Sequence, residues 1–299
     1  MTAKCLLRKA VSGFFFIKKK QLMNSHSNNI KSSLQEVQDI LKNKGVRLFL
    51  ILGGFFIANT LSAEFMGVKI FSLERTLGAQ PVGWQIFGST WNFDLSAGVL
   101  LWPVVFIMTD IINEYYGQRG VKFLSWLGAG LIAYAFFMFF GSIQLAPADW
   151  WPSSQQARGV ADINASFSGI FGQGLGIILG SLSAFILSQI LDVTVFHAIK
   201  KRTGEKQLWL RSTGSTLFSQ LIDTFVVTSI AFYFYPMLVK GNGEPWSVKQ
   251  LLTVCAGGYL YKFTVAILMT PVVYLVHNAI ERYLGHELAA EMKERAAAS

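Results

Sequence analysis

Charged side chains set inside long apolar runs are the first residues in this chain that can do chemistry. Glu64, Asp110, Asp192, Asp223 and Lys262 each lie in such a run, and Asn59, Asn113, Gln189 and Gln220 add uncharged hydrogen-bonding capacity. A centrally placed Asp or Lys costs about 2.5–3.5 kcal/mol to insert into a bilayer, so each needs a reason. Two of the acids come as a repeat. Ser188-Gln189-Ile190-Leu191-Asp192 is matched 31 positions later by Ser219-Gln220-Leu221-Ile222-Asp223. On a helix the Ser and Asp of each copy are i and i+4, and the Gln and Asp are i and i+3, so all three project from one side. Two facing clusters of this kind offer acceptors, amide donors and negative charge, which suits a small polar or cationic heterocycle. The same residues also serve as interhelical hydrogen bonds that hold a hairpin together. The residues by themselves leave both readings open.

A second polar face is Asp110, Asn113 and Glu114, again i, i+3 and i+4. It reads as an inner gate, as a substrate contact, or as a helix end paired with Arg119 or Arg211. Gly117 just beyond it suits a helix C-cap. Lys262 is expected to pair with Asp192 or Asp223, or to snorkel. Asn59 lies near the middle of its run, so a polar column can extend most of the way across.

The elements that position these groups follow from composition. Of the 299 residues, 52% are apolar or aromatic and 14% are charged, and the mean hydropathy is +0.42. Soluble domains carry roughly 25% charged residues. The 25 Phe, 8 Trp and 9 Tyr exclude a disordered chain. Cys5 and Cys255 support neither a disulfide framework nor a zinc site, and the four histidines form no close pair. The expected fold is an all-α integral membrane protein with six transmembrane helices. The spans fall at 48–71, 95–113, 123–143, 171–196, 217–235 and 251–276, each near the 20 residues a crossing needs. The net charge of +9 is distributed as a topology signal: 20 of the 26 Lys and Arg residues fall on one side of these spans. That puts both termini in the cytoplasm. Trp150, Trp151 and Trp246 are expected at the outer interface and Trp209 at the inner one. Pro103 and Pro271 predict kinks in the second and sixth spans.

Three regions result: a cytoplasmic N-terminal extension (1–47), a transmembrane domain (48–277) and a cytoplasmic tail (278–299). Ser33 to Glu36 reads as a capping box opening a short amphipathic helix at the inner surface. Residues 1–22 carry no periodic pattern and are expected to have no transport role, with Met23 as an alternative start. In the fourth span, Gly172, Gly176, Gly180, Ala184, Ser188 and Asp192 recur every four residues, a small-residue stripe that lets another backbone approach. No G-x-x-x-x-G-K-[ST] occurs, so the chain carries no phosphate loop.

The run from Trp102-Pro103 through Thr109-Asp110 and Asn113-Glu114 to Gly117 resembles the signature of the queuosine precursor transporters, within the vitamin uptake transporter group. So do Ser188-Gln189 to Phe196, Leu208 to Arg211, Ser215 to Asp223, Tyr261-Lys262 and Thr270-Pro271 to Tyr274. The resemblance covers about residues 48–284. It implies a six-helix inner-membrane protein that salvages 7-deazapurine precursors of queuosine, a modified base of certain transfer RNAs. It places Asp110, Asn113, Gln189, Asp192, Arg211, Gln220, Asp223 and Lys262 on motif positions, without saying which of them touch the ligand. A 7-deazapurine has a flat apolar face and a guanine-like edge that Gln and Asp can read, while Phe and Trp can stack on the ring. The partners implied are this small molecule and the lipid bilayer, with no direct nucleic-acid contact, no cofactor and no metal. An alternative is the membrane subunit of a vitamin transporter energised by a separate ATPase, with Ala58 to Ser62 as its docking face. A membrane enzyme has no support, because no nucleophile–base pair or metal cluster is visible.

Overall fold

The computed structural model describes residues 39–297 apart from 41, 87, 173, 205–206 and 240–243. The capping box at Ser33 and the 1–22 segment lie outside the described residues. Contacts group the chain into a small unit ending at Ile51 and a large unit, Leu52–Ser299. In the small unit, Lys42 Nζ meets Asp39 Oδ1 at 2.9 Å. The Asn43 side chain caps helix α1 by accepting from the Gly45 N–H at 2.8 Å.

Long helices dominate: α1 (Lys44–Met66), α2 (Trp102–Ile143), α3 (Ile163–Phe171), α4 (Leu175–Thr203), α5 (Leu208–Ser229), α6 (Val248–Leu284) and α7 (His286–Ala297). Helix α5 continues through a π-turn, Ile230–Phe234, into Tyr235–Leu238. Five helical segments are long and apolar enough to cross a membrane: Lys44–Met66, Trp102–Ile143, Ile163–Thr203, Leu208–Leu238 and Val248–Leu284. Their outward faces carry large apolar side chains such as Phe137, 73% exposed, and Leu275, 68% exposed. A surface of that kind is stable against lipid tails rather than water.

Six runs were expected where five segments stand, and the difference lies in α2. Its 42 residues would reach roughly 63 Å if straight, about twice a bilayer core. The helix is broken at Gly117, whose φ of 70° and ψ of −175° are non-helical. Only glycine adopts this backbone without steric penalty. The expected C-cap is therefore a hinge between two limbs, one ending at Tyr116 and the other beginning at Gln118.

Other boundaries shift for local reasons. Residues 95–100 do not open a span. Asp94–Ser96 forms a strand and Ala97–Leu100 a 3-10 turn. Pro103 occupies the first turn of α2 rather than kinking it, since a residue there needs no amide hydrogen. Pro271 does lie inside α6. The α1 helix ends at Met66, so Lys69 is outside it. Helix α5 begins at Leu208, well before the apolar run, because its first turns bury polar groups against other helices. In the small-residue stripe, Gly172 caps α3 and falls outside α4. Gly176 and Gly180 do permit close approach: a Cβ on Gly180 would stand 2.9 Å from the Val227 carbonyl oxygen, and one on Gly176 2.5 Å from the Tyr235 ring.

The expectation of an all-α chain also misses two small antiparallel sheets between α1 and α2. Strand β1 (Ile70–Ser72) pairs with β4 (Asp94–Ser96), and β2 (Trp84–Ile86) pairs with β3 (Ser89–Trp91). Glu74 secures this connection. Its Oε1 accepts from the Phe93 N–H at 2.8 Å, and its Oε2 accepts from the Ser72 hydroxyl at 3.0 Å. Trp91 packs on Phe93 with ring centroids 4.3 Å apart. It also lies against α6 so closely that a Cβ on Gly257 would be 1.9 Å from its indole.

Two outcomes follow from this connection. Gly257→Ala forces Trp91 off α6 and lowers the melting temperature in detergent by several degrees. Gly258→Ala meets only Thr224 Cγ2 at 3.7 Å and gains up to about 1 kcal/mol of helix propensity, so its melting temperature holds or rises. Equal losses in the two variants would contradict the packing. The second outcome concerns pH. Burial works to raise the Glu74 pKa, but the hydrogen bonds from the backbone at Phe93, Glu74 and Val82 and from the Ser72 hydroxyl together outweigh it, and the net value lies below the ordinary 4.5. A depressed folded value means the contribution is full above pH 4.5 and is lost as pH falls through the folded value. Hydrogen exchange at the Phe93 amide should accelerate over that acid range, and Glu74→Gln should flatten the pH dependence.

Candidate functional site

Helix α5 is the polar spine of the structure. Ser212, Ser215, Thr216, Ser219, Gln220 and Thr224 lie on it at spacings of three and four, and all are buried. One stripe of α5 therefore faces α4, α2 and α6 with hydroxyls and amides.

At the end of α5 nearest Leu208, Arg211 is 2% exposed. Its Nη2 meets Glu114 Oε1 at 2.8 Å and its Nη1 donates to the Gly204 carbonyl at 2.7 Å. Lys200 Nζ closes on Glu114 Oε2 at 3.1 Å. The guanidinium also stands over the Phe196 ring, 5.8 Å from its centroid. Glu114 thus joins α2, α4 and α5, and of the two partners considered for it, Arg119 and Arg211, the structure pairs it with Arg211. Beside it, Asn113 Oδ1 meets His197 Nε2 at 2.8 Å.

Next along α5, Ser212 Oγ donates to Asp110 Oδ2. Asp110 is 2% exposed, and its Oδ1 is buried with no hydrogen-bond partner among the described residues. Further along, Ser219 Oγ donates to Asp192 Oδ1 at 3.2 Å. Gln189 accepts from the Thr109 hydroxyl at 3.2 Å, and its amide nitrogen is buried without a partner among the described residues. Asp223 turns to α6, where Lys262 Nζ meets its Oδ2 at 2.7 Å. Asn59 donates back to the Phe55 carbonyl of its own helix at 2.8 Å and joins none of these groups. Glu64 accepts from Ser181 at 2.5 Å.

A narrow pocket opens between α2, α5 and α6. Its apolar wall includes Trp102, Phe106, Ile107, Val265, Met269 and Val273, and its polar wall holds Asp110, Ser212, Thr213, Thr216, Gln220, Tyr261 and Lys262. Gln220 Nε2 is buried without a partner among the described residues. Two of the lining residues, Asp110 and Gln220, thus each keep one buried polar atom without a hydrogen-bond partner among the described residues.

Of the nine residues singled out in the sequence, Asp110, Gln220 and Lys262 line this cavity. Asn59, Asn113, Gln189, Asp192, Arg211 and Asp223 do not. The two Ser-Gln-Asp clusters were expected to face each other. Among the described residues the hydrogen bond between them runs from Ser219 to Asp192, and the remaining members diverge: Ser188 donates to its own helix carbonyl at Phe185, Gln189 turns to α2, Gln220 to the cavity and Asp223 to α6. The reason is helical rotation: residues three apart differ by about 60° in direction, enough to address different neighbours when a helix is surrounded. Sequence reasoning missed Trp102, Ser212, Thr213, Thr216 and Tyr261 as cavity residues. A signal was present in the hydroxyl series 212, 215/216, 219, which a search for charges passes over.

Five apolar helical segments around a polar-tipped pocket define a multi-pass membrane protein. Residues 96–276 match the family model described as "Putative vitamin uptake transporter". The chain is 33% identical over 199 residues to a protein named "Probable queuosine precursor transporter" from Bacillus subtilis (strain 168), covering 66% of this chain and 76% of that one. It is 26% identical over 249 residues to a Haemophilus influenzae protein of the same name, covering 82% and 93% of the two chains. It is 28% identical over 178 residues to the Escherichia coli (strain K12) "Queuosine precursor transporter", covering 58% and 68%. No solved structure matches it significantly. The chain belongs to this vitamin uptake transporter family.

Removing one member of a buried ionic group typically costs 3–5 kcal/mol, because the remaining charge is left uncompensated. Glu114→Ala strands Arg211 and Lys200 and should collapse the yield of monodisperse protein on size-exclusion chromatography. Asp223→Asn should be milder, since Lys262 is 16% exposed and can reach water. Normal yield from Glu114→Ala would remove the network from the fold's supports.

Proposed function

We propose that this chain imports 7-deazapurine precursors of queuosine across the bacterial inner membrane, for salvage into transfer RNA, and that the cavity between α2, α5 and α6 is where the base binds. Three relatives carrying the name queuosine precursor transporter support the substrate. The observation that carries the site is the pair of buried polar atoms without partners, Asp110 Oδ1 and Gln220 Nε2, on the wall of an otherwise largely apolar cavity. A guanine-like edge offers N–H donors next to a ring carbonyl. The Asp110 carboxylate takes the donors, and the Gln220 amide gives its hydrogen to the carbonyl. Trp102 and Phe106 supply flat apolar surface for the ring. A ligand lacking that edge leaves both groups buried and unpaired, which is how such a site discriminates.

In this reading α2 crosses twice, turning at Gly117, so the five helical segments make six crossings. Both termini and the basic stretches around Arg119, Lys200 and Arg282 then lie in the cytoplasm. Asp110 and the Arg211–Glu114–Lys200 group stand toward the cytoplasmic side. Asp223 and Lys262 hold α5 and α6 together at the edge of the cavity.

The test is growth of a strain that lacks both its own gene for this transporter and precursor synthesis, fed with precursor, with queuosine in transfer RNA as the readout. A hydrogen bond to a charged group contributes about 1.5–3 kcal/mol, or roughly 10- to 150-fold in affinity. Asp110→Asn should therefore raise the precursor concentration needed by at least tenfold at unchanged membrane abundance, and Gln220→Ala by a smaller factor. Wild-type rescue by Asp110→Asn at limiting precursor would exclude this residue from the site.

A further inference from the structure

The site proposed above asks one thing of Asp110 that its own side chain does not supply, a fixed direction. The last torsion of an aspartate is broad and roughly two-fold, so an unheld carboxylate turns easily about it. Two other acids of the apolar stretches are held by cations: Glu114 by Arg211 and Lys200, and Asp223 by Lys262. Asp110 is held by a hydroxyl. Ser212 Oγ donates to its Oδ2, and Oδ1 is left without a partner among the described residues. Both residues are buried, and both line the pocket.

Ser212 is placed for this by the residue before it. Arg211 ties α5 to Glu114 of α2 at 2.8 Å, and its other terminal nitrogen is taken by the Gly204 carbonyl. Asp110 and Glu114 are i and i+4, neighbours on one side of α2. The two helices are therefore joined twice within one turn of α2, by an ion pair and then by a hydroxyl–carboxylate bond. The ion pair sets how far Ser212 stands from Asp110. A hydroxyl also suits the task. An ionised carboxylate has about four lone-pair sites, and one O–H bond occupies one of them. The bond brings no opposite charge, so the carboxylate is oriented without being neutralised and keeps its attraction for N–H donors. Gln220 is the contrast: its amide nitrogen has no partner among the described residues, so no bond at that atom fixes the group.

We propose that Ser212 is the positioning residue of the ligand site, setting the plane of the Asp110 carboxylate so that the N–H donors of the base meet an oxygen already in place. This rests on the transport reading above and on Asp110 as the ligand's acceptor. Asp110 is then the fixed anchor of the site and Gln220 its adaptable contact. Ser212 acts through Asp110 and makes no bond to the ligand itself. The gain is one of preorganisation: a group held in its bound direction loses less freedom when the ligand arrives.

The experiment uses the full chain in proteoliposomes and counterflow of radiolabelled 7-deazaguanine, read as KM and Vmax per inserted transporter. Ser212→Ala removes the hydroxyl, and Ser212→Cys keeps a side chain of similar shape with a much weaker donor. Each should raise KM by about three- to tenfold, the range one hydrogen bond commands, with Vmax within about twofold of wild type. In an Asp110→Asn background, where KM is already raised, the same changes at Ser212 should add less than about twofold, because the group that Ser212 aims has lost its charge. Residues that act through one another are non-additive in this way. Equal factors in the two backgrounds would mean that Ser212 meets the ligand directly and would overturn the positioning role. A fall in Vmax at unchanged KM, wild-type kinetics in both variants, or failure of both to insert overturns it too, and each leaves the transport reading standing. Absence of counterflow by the wild-type chain overturns that reading and the proposal together.

Discussion

Glu114 has no exposure, and each of its oxygens meets a cation that comes from a different helix. Nothing in an apolar medium replaces such a partner once it is removed, because water is absent and lipid tails bind no charge. The arrangement therefore works as a clamp: α2 supplies the carboxylate, α4 the ammonium and α5 the guanidinium. Once these three are tied at one end, the register of α5 against α2 and α4 is set along its whole length. Ser212 then reaches Asp110, and Ser219 reaches Asp192, one after the other along the same stripe.

The cavity is a consequence of that register. Helix α5 turns one polar face toward α4 and the next toward α6, and α6 meets it through Lys262 and Asp223 and through the Thr213–Thr270 hydroxyl pair at 2.9 Å. Between these attachments α2, α5 and α6 do not close on one another. The side chains there include Trp102, Phe106 and Tyr261, which line the pocket between the three helices. Glycine does the opposite on the α4 side. Gly180 brings α4 against the α5 backbone, and that side is packed rather than hollow. The division between a tight α4–α5 seam and an open α5–α6 seam locates the pocket.

Much of the fold can be read from hydropathy. The membrane class, the apolar runs and the break at Gly117 all follow from residue types and their spacing. Hydropathy fails where a helix is polar because it is buried against protein. The first turns of α5, from Leu208 to Thr216, look like loop by that measure, yet Arg211 and Ser212 there are among its most deeply buried residues. It fails again between α1 and α2, where short strands with no apolar period are held by Glu74 and Trp91. Those contacts join residues far apart in the chain, so no local pattern announces them.

The site divides along the same line. Which residues are candidates for chemistry was determined by the sequence alone, since a carboxylate or an amide in an apolar run is costly wherever the helix turns, and the nine candidates were chosen that way or through motif resemblance. Which of them meet, and which face a void, was decided only by the tertiary structure. Gln189 and Gln220 occupy equivalent places in a repeated pentapeptide, yet one faces α2 and the other a cavity. Asp192 and Asp223 are equivalent in the same way, yet one takes a serine and the other a lysine. The repeat specifies a direction relative to its own helix axis. What stands in that direction depends on the neighbours, and those are set by how the helices pack.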